Sequence, residues 1–190
     1  MKFVGMISSV VIISSVLASS ACATTITPLE LSQQVKKADL ILHIKIKLID
    51  KEVENLSDLP WQTYAFEVVE TLLGDPKTLP PSDNEKSQGL PTFSILGGGD
   101  LILEGAPILK PFNEEKGQEW SGEYIIMLYK PLSSDLGKSY DDPIVGFNQG
   151  IYLVQNNAVS TLEGNPTKLE DTDKDLKTFK NKIIALRGGK

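Results

Sequence analysis

The ten residues from Leu40 to Ile49 alternate with a period of two, and this run constrains the fold more than any other feature of the chain. Leu40, Leu42, Ile44, Ile46 and Leu48 point one way; Ile41, His43, Lys45, Lys47 and Ile49 point the other. Successive side chains of an extended strand lie on opposite faces, so the pattern predicts a long β-strand with one buried and one mostly solvated face. After Pro60 a second run repeats the signal. Tyr64, Phe66 and Val68 alternate with Ala65, Glu67 and Val69 as far as Leu72-Leu73-Gly74.

Further strands are read from shorter signals. Thr92 to Leu96 runs into Gly97-Gly98-Gly99, and Leu101 to Leu103 forms a short strand. Tyr124 to Tyr129 is apolar on both sides, as a central strand covered on both faces requires. Ile144 to Phe147 and Ile151 to Val154 follow. Asn156-Asn157 makes a tight turn into Ala158 to Leu162, because Asn tolerates positive φ. The proline-rich stretch Asp75 to Pro91 and the segment Gly105 to Gly122 read as long surface loops.

Helices bracket these strands. Thr27 can cap, Pro28 suits the first helical position and Glu30 completes a capping box, with Leu31, Val35 and Ala38 on one stripe ending near Asp39. At the other end Leu176, Phe179, Ile183 and Leu186 share a stripe, Arg187 favours the C-terminus and Gly188 can cap it. Short antiparallel strands between two helices predict a mainly β fold, a small closed barrel with a helix at each end.

The first 23 residues carry an address. Lys2 precedes an apolar stretch from Phe3 to Leu17, and small residues lead to Ala21-Cys22-Ala23. This is the layout of a secretory signal peptide cut before Thr24, leaving one domain over residues 24–190. The apolar core holds four serines and is shorter than the roughly 20 residues of a membrane span. Cys22 is the only cysteine. If retained and acylated it would anchor the protein to a membrane; under the favoured cut it is discarded. The mature chain then has no disulfide, thiol nucleophile or thiolate ligand, which suits a bacterial periplasm or medium.

Charge narrows the partners. The chain has 19 basic and 25 acidic side chains, a net charge of −6, and loss of Lys2 with the leader makes it more acidic. General binding to nucleic acid or anionic lipid relies on the opposite balance.

The segments A-D-L-I-L-H-I-K-I, T-Y-A-F-E-V-V-E-T-L-L-G, G-G-G, W-S-G-E-Y-I-I-M-L and G-F-N-Q-G-I-Y-L-V occur in this order. Together they resemble a group of uncharacterised secreted bacterial proteins, and the layout resembles the netrin-like, OB-type barrel of tissue inhibitors of metalloproteinases. The matching positions are Ala38-Asp39, Thr63-Tyr64, Leu72-Leu73-Gly74, Gly97-Gly98, Gly122-Glu123 and Gly146-Phe147. Leu73 stands where those proteins carry Lys, and the inhibitors' amino-terminal chelating Cys has no counterpart after cleavage. The resemblance therefore implies an architecture and not an inhibitory mechanism.

Residues that bear chemistry are few. His43, the only histidine, is suited to general base work at neutral pH, but its neighbours Ile41, Lys45 and Lys47 describe a solvated strand face. One His without Cys does not make a zinc site. Asp171, Asp173 and Asp175 alternate as a calcium loop does, yet Leu176 and Lys182 occupy its Gly and Glu positions, so they read as helix-stabilising carboxylates. Gly97-Gly98-Gly99 reads as a turn or bulge, and Glu114-Glu115 and Asp141-Asp142 as surface charge. Trp61 and Trp120 are either contact residues or plugs at the barrel end. Lys45, Lys47 and His43 form either a ligand face or a plain solvated strand.

The expectation is an exported, non-enzymatic binding module of a bacterial envelope or secretome, without a cofactor, whose partner is a protein or envelope ligand. A secreted protease inhibitor-like protein and a hydrolase are the alternatives.

Overall fold

The computed structural model describes residues 26–48, 54–56, 59–79, 82, 85–96, 121–130, 140–141 and 143–188. The leader with Ala21, Cys22 and Ala23, the strand expected at Leu101 to Leu103, Gly97-Gly98-Gly99, Glu114-Glu115, Trp120 and Asp142 lie outside these residues.

Eight strands share one sheet, the two period-two segments forming β1 (Leu40–Leu48) and β3 (Leu59–Leu73), with β2 (Glu54–Leu56), β4 (Thr92–Leu96), β5 (Ser121–Leu128), β6 (Tyr140–Asp141), β7 (Ile151–Gln155) and β8 (Ala158–Thr161) beside them. The order across the sheet is β6-β4-β3-β1-β5-β7-β8, with β2 paired to β3. All pairs are antiparallel except the short β4–β6 contact. The path is open: among the described residues its two ends do not pair, so the closed barrel expected from the sequence is not what the strands form.

Two helices flank the sheet, α1 (Leu31–Lys37) and α2 (Leu176–Gly188). α1 starts later than its sequence suggests. Glu30, not Thr27, is the N-cap: its backbone oxygen accepts from the Gln33 N–H at 2.9 Å, and the Gln33 amide oxygen accepts from the Glu30 N–H at 2.8 Å. Thr27 and Pro28 stay extended because Gln149 holds them: its Nε2 donates to Thr27 O at 3.0 Å and its Oε1 accepts from Leu29 N at 2.8 Å. The stripe on α2 is seated as expected, with Phe179 and Ile183 buried and Leu176 and Leu186 packed at the margin. Gly188 is the last helical residue, not a cap beyond it.

The sheet separates two apolar clusters. One face of β1, Leu40, Leu42, Ile44 and Ile46, meets Tyr64, Phe66, Phe93, Ile95, Tyr124, Ile126, Leu128, Ile144 and Ile151. Phe93 stacks at 5.6 Å from both Tyr64 and Phe66. On the other face Ile41, Ile125, Met127, Tyr152, Val154 and Val159 lie under α1 and α2, where Tyr152 meets Phe179 at 5.0 Å. β1 is thus covered on both sides over its first half, and the largely solvated second face read from the sequence begins only at Lys45.

Two further departures have local causes. Ile144 to Phe147 is not a strand. Ile144 makes one bridge to Leu128, and the chain then turns through Gly146, Phe147 and Asn148, all at positive φ. That turn aims Gln149 inward at the segment before α1, and a Cβ on Gly146 would lie 2.8 Å from Leu29 Cδ1. The Asn156-Asn157 turn, by contrast, forms as read, with φ of 52° and 61°.

Candidate functional site

The helix-covered face changes character along β1. Ile41 is in the core, His43 is 4% exposed, Lys45 is half-buried and Lys47 is exposed. His43 was expected to face solvent. It is buried because α2, more than 130 residues later in the chain, folds over it and brings Lys180 to the ring.

Four elements converge there. His43 Nε2 lies 3.1 Å from Glu123 Oε2 on β5, and Nδ1 lies 3.1 Å from Lys180 Nζ on α2. Lys180 also donates to Glu70 Oε2 on β3 at 2.5 Å. Lys45 faces Glu67 in β3 and Glu123 in β5 across the ladder, and Lys47 pairs with Glu67. The result is a line of alternating charge around one imidazole.

A β-bulge places Glu70 in this line. Ile44 faces Val68, but His43 faces Glu70, so Val69 is an extra residue opposite no partner. Strict alternation would put Glu70 on the opposite face from Glu67; the bulge restores it to the face of His43. A second shift, between Ile41 and Leu42, follows at Leu72.

Burial and the neighbouring Lys180 ammonium hold the His43 pKa below its ordinary 6.5, against the opposing pull of Glu123 and Glu70. The ring is neutral at pH 7. Since Lys180 can only donate, Nδ1 is the acceptor and Nε2–H donates to Glu123. With both nitrogens engaged, the imidazole holds the site together and has no free position for a substrate proton. At the exposed end, the bond from Lys47 pulls the Glu67 carboxyl below its ordinary range.

Above the cluster lie two open depressions that meet at Asn157. One, of about 560 Å³, is bounded by Glu70, Lys177, Lys180, Asn181 and Ile184; the other, of about 680 Å³, by Gly122, Glu123, Gln155 and Asn156. Together they make a groove rimmed by amides, two lysines and three carboxylates, with Asp175 the third. Ile184, on its wall, is more than half exposed.

Of the residues singled out in the sequence, His43, Lys45 and Lys47 share one face. Trp61 lies in β3, opposite Leu96 and Glu54 in register and away from this groove. The alternating aspartates are engaged locally: Asp171 pairs with Lys174, Asp173 with Lys182 at 2.6 Å, and Asp175 caps α2 by accepting from Thr178 N and Oγ1 at 2.8 Å. Among the described residues no group of three His, Cys, Asp or Glu side chains is placed to hold a metal ion. Glu70 and Lys180 were not singled out in the sequence, and Asn157 was read only as a turn residue. Gly122-Glu123 in the family-like pattern was the one available pointer.

A second polar network lies on the same face but inside the core. Gln34, fully buried, donates to Thr167 Oγ1 at 2.7 Å and Leu29 O at 3.0 Å and accepts from the Tyr152 hydroxyl at 2.7 Å. Every polar atom of the Gln34 side chain is satisfied, which marks it as a structural clamp. The motif-like positions are structural too. A Cβ on Gly74, at φ +81°, would sit 2.5 Å from Asp39 O, and Asp39 Oδ2 accepts from Lys130 N at 2.8 Å.

Comparison with protein-family models, curated proteins and solved structures finds no match.

Proposed function

We propose that this chain is an exported, non-enzymatic binding module of a bacterial envelope or secretome, and that the groove over His43 is its contact face. The observation that carries this reading is the pairing behind the groove wall, which Glu70, Lys180 and Glu123 line. Both nitrogens of the only histidine are bonded, while the rim presents Asn156, Asn157, Asn181, Lys177 and Glu123 toward solvent. Such a surface offers many donors and acceptors for a polar ligand and no activated nucleophile or free base.

We propose as well that the sheet is of the netrin-like, OB-type kind. Supporting it, β4-β3-β1-β5-β7 run side by side with the first long strand in the middle. The cluster around Ile44 and Phe66 is buried with no described helix on that side, as in a sheet that curls over its own face. Barrels of this type are partly open.

The test is an NMR titration of ¹⁵N-labelled protein with pools of short peptides and of oligosaccharides. Shifts confined to Gly122, Glu123, Asn156, Asn157, Lys177 and Asn181 are expected. Shifts confined to the opposite end of the sheet would overturn the site. Turnover of ester, peptide or glycoside substrates that Glu123→Gln abolishes would overturn the non-enzymatic reading. For export, intact mass of protein recovered outside the cytoplasm should correspond to a chain starting at Thr24; a diacylated species starting at Cys22 would replace the soluble reading with an anchored one.

A further inference from the structure

Lys180 is the side chain through which α2 reaches the floor of the groove. Its ammonium bridges His43 Nδ1 at 3.1 Å and Glu70 Oε2 at 2.5 Å, with the Lys180 side chain 17% exposed. The bond to Nδ1 exists only while that nitrogen keeps its lone pair. On a protonated ring Nε2–H would still donate to Glu123, but Nδ1–H would confront an ammonium at the same short distance with no acceptor between them. The charged groups around the ring are Lys45 on β1, Glu70 on β3, Glu123 on β5 and Lys180 on α2; in register with His43, β5 places Ile125 and β7 Tyr152, whose hydroxyl donates to Gln34.

We propose that His43 and Lys180 form a pH-sensitive latch, which ties α2 to β1 while the imidazole is neutral and releases Lys180 into the groove when it is protonated. Burial and the ammonium itself favour the neutral ring, so the latch opens below the ordinary imidazole range. The release is local. Phe179 and Ile183 stay in the core, Lys182 stays on Asp173, and Arg187 still donates to Lys36 O at 3.1 Å. What changes is the wall from Lys177 to Ile184, and with it the shape and charge of the groove. Any effect on ligand binding rests on the groove being a contact face; the latch itself does not.

The experiment is a ligand-free NMR titration from pH 8 to pH 5. The His43 ring and the amides of Lys177, Lys180 and Asn181 are expected to move together with one midpoint below 6.5. Lys180→Met removes the like charge and should shift the His43 midpoint upward. In His43→Gln the amide oxygen can accept from Lys180 and the amide nitrogen can donate to Glu123 without titrating, so the pH response of α2 should vanish in a folded protein. Titration of His43 with the α2 amides unmoved would overturn the proposal, as would an unchanged midpoint in Lys180→Met. Should either variant fail to fold, the ring ¹⁵N shifts of the unaltered protein at pH 8 decide. They must show the proton on Nε2, and a proton on Nδ1 would overturn the latch. No readout involves a ligand, so failure of the latch and failure of the groove as a binding site are seen separately.

Discussion

β1 carries both faces of the sheet on one strand, and the two faces end differently. Leu40, Leu42, Ile44 and Ile46 keep their face apolar throughout, packed on aromatic rings from β3 and β4. Across the strand, Ile41 gives way to His43, then to Lys45 and Lys47, as the cover of α1 and α2 runs out. The first face can be filled by hydrophobic burial alone. The second has to satisfy polar groups where helix, sheet and water meet, and it is there that side chains from four elements bond one another. An apolar core and a charge-bonded margin thus share the two sides of the same nine residues.

The sharpest way to break this comparison is to empty the apolar side. Ile44→Ala should cost about 2–5 kcal/mol, the range for a buried aliphatic truncation that leaves a cavity, read as a lower urea midpoint at unchanged slope. An Ile44→Ala protein as stable as its parent would mean that this face is not the main core.

Cutting the clamp on the helix side should cost less. Gln34→Ala takes the acceptor from the Tyr152 hydroxyl and the donor from Thr167 Oγ1, while Leu29 O keeps its bond from Thr167 Oγ1, at about 1–3 kcal/mol by the penalty for unsatisfied buried groups. The same urea measurement checks it.

The pH response comes next and has a definite sign. The folded His43 pKa lies below 6.5, so between that lower value and 6.5 the unfolded chain binds more protons than the folded one. The stabilisation is fully present above about 6.5 and is lost as pH falls through the folded pKa. Urea melts across this window should show stability decreasing toward acid in the parent protein, and a shallower decrease in His43→Gln. The difference between the two isolates the imidazole from carboxylates such as Glu67, which titrate at lower pH.

Smallest of all is Lys47→Ala at the solvated end. It removes an exposed pair with Glu67, an interaction worth about 0–1 kcal/mol. A larger loss would show that the charged end of β1 contributes to stability as its apolar end does.

Much of the sheet is legible in the sequence, because β1, β5, β7 and β8 obey alternation or continuous burial and the Asn156-Asn157 turn carries its own chemistry. The stripe of α2 is legible for the same reason. The open sheet, the burial of His43 and the position of Glu70 are not. Alternation assigns a residue to a face without saying what later segment will cover that face, and Lys180 arrives from the far end of the chain. Parity counting also fails at a bulge: Val69 looks like any other strand residue, yet it moves Glu70 across the sheet. Ile144 to Phe147 misleads because its apolar content fits a strand, while Gly146 and Asn148 supply the positive φ of a turn.

The clamp around Gln149 and Gln34 has a consequence in time. Its bonds join Leu29 to a residue 120 positions downstream and Gln34 to one 133 positions downstream, and the bond from Lys180 to His43 spans 137. α1 is among the first elements to leave the ribosome, but its buried Gln34 has no partner at Thr167, and its apolar side lacks Phe179 and Ile183, until the last part of the chain has been made. A topology of such distant contacts folds slowly and late. β1, β3 and β4 can pair within the amino-terminal half, but the face that α2 covers is closed only when that last helix has been made, so the two sides of the sheet are completed at different times.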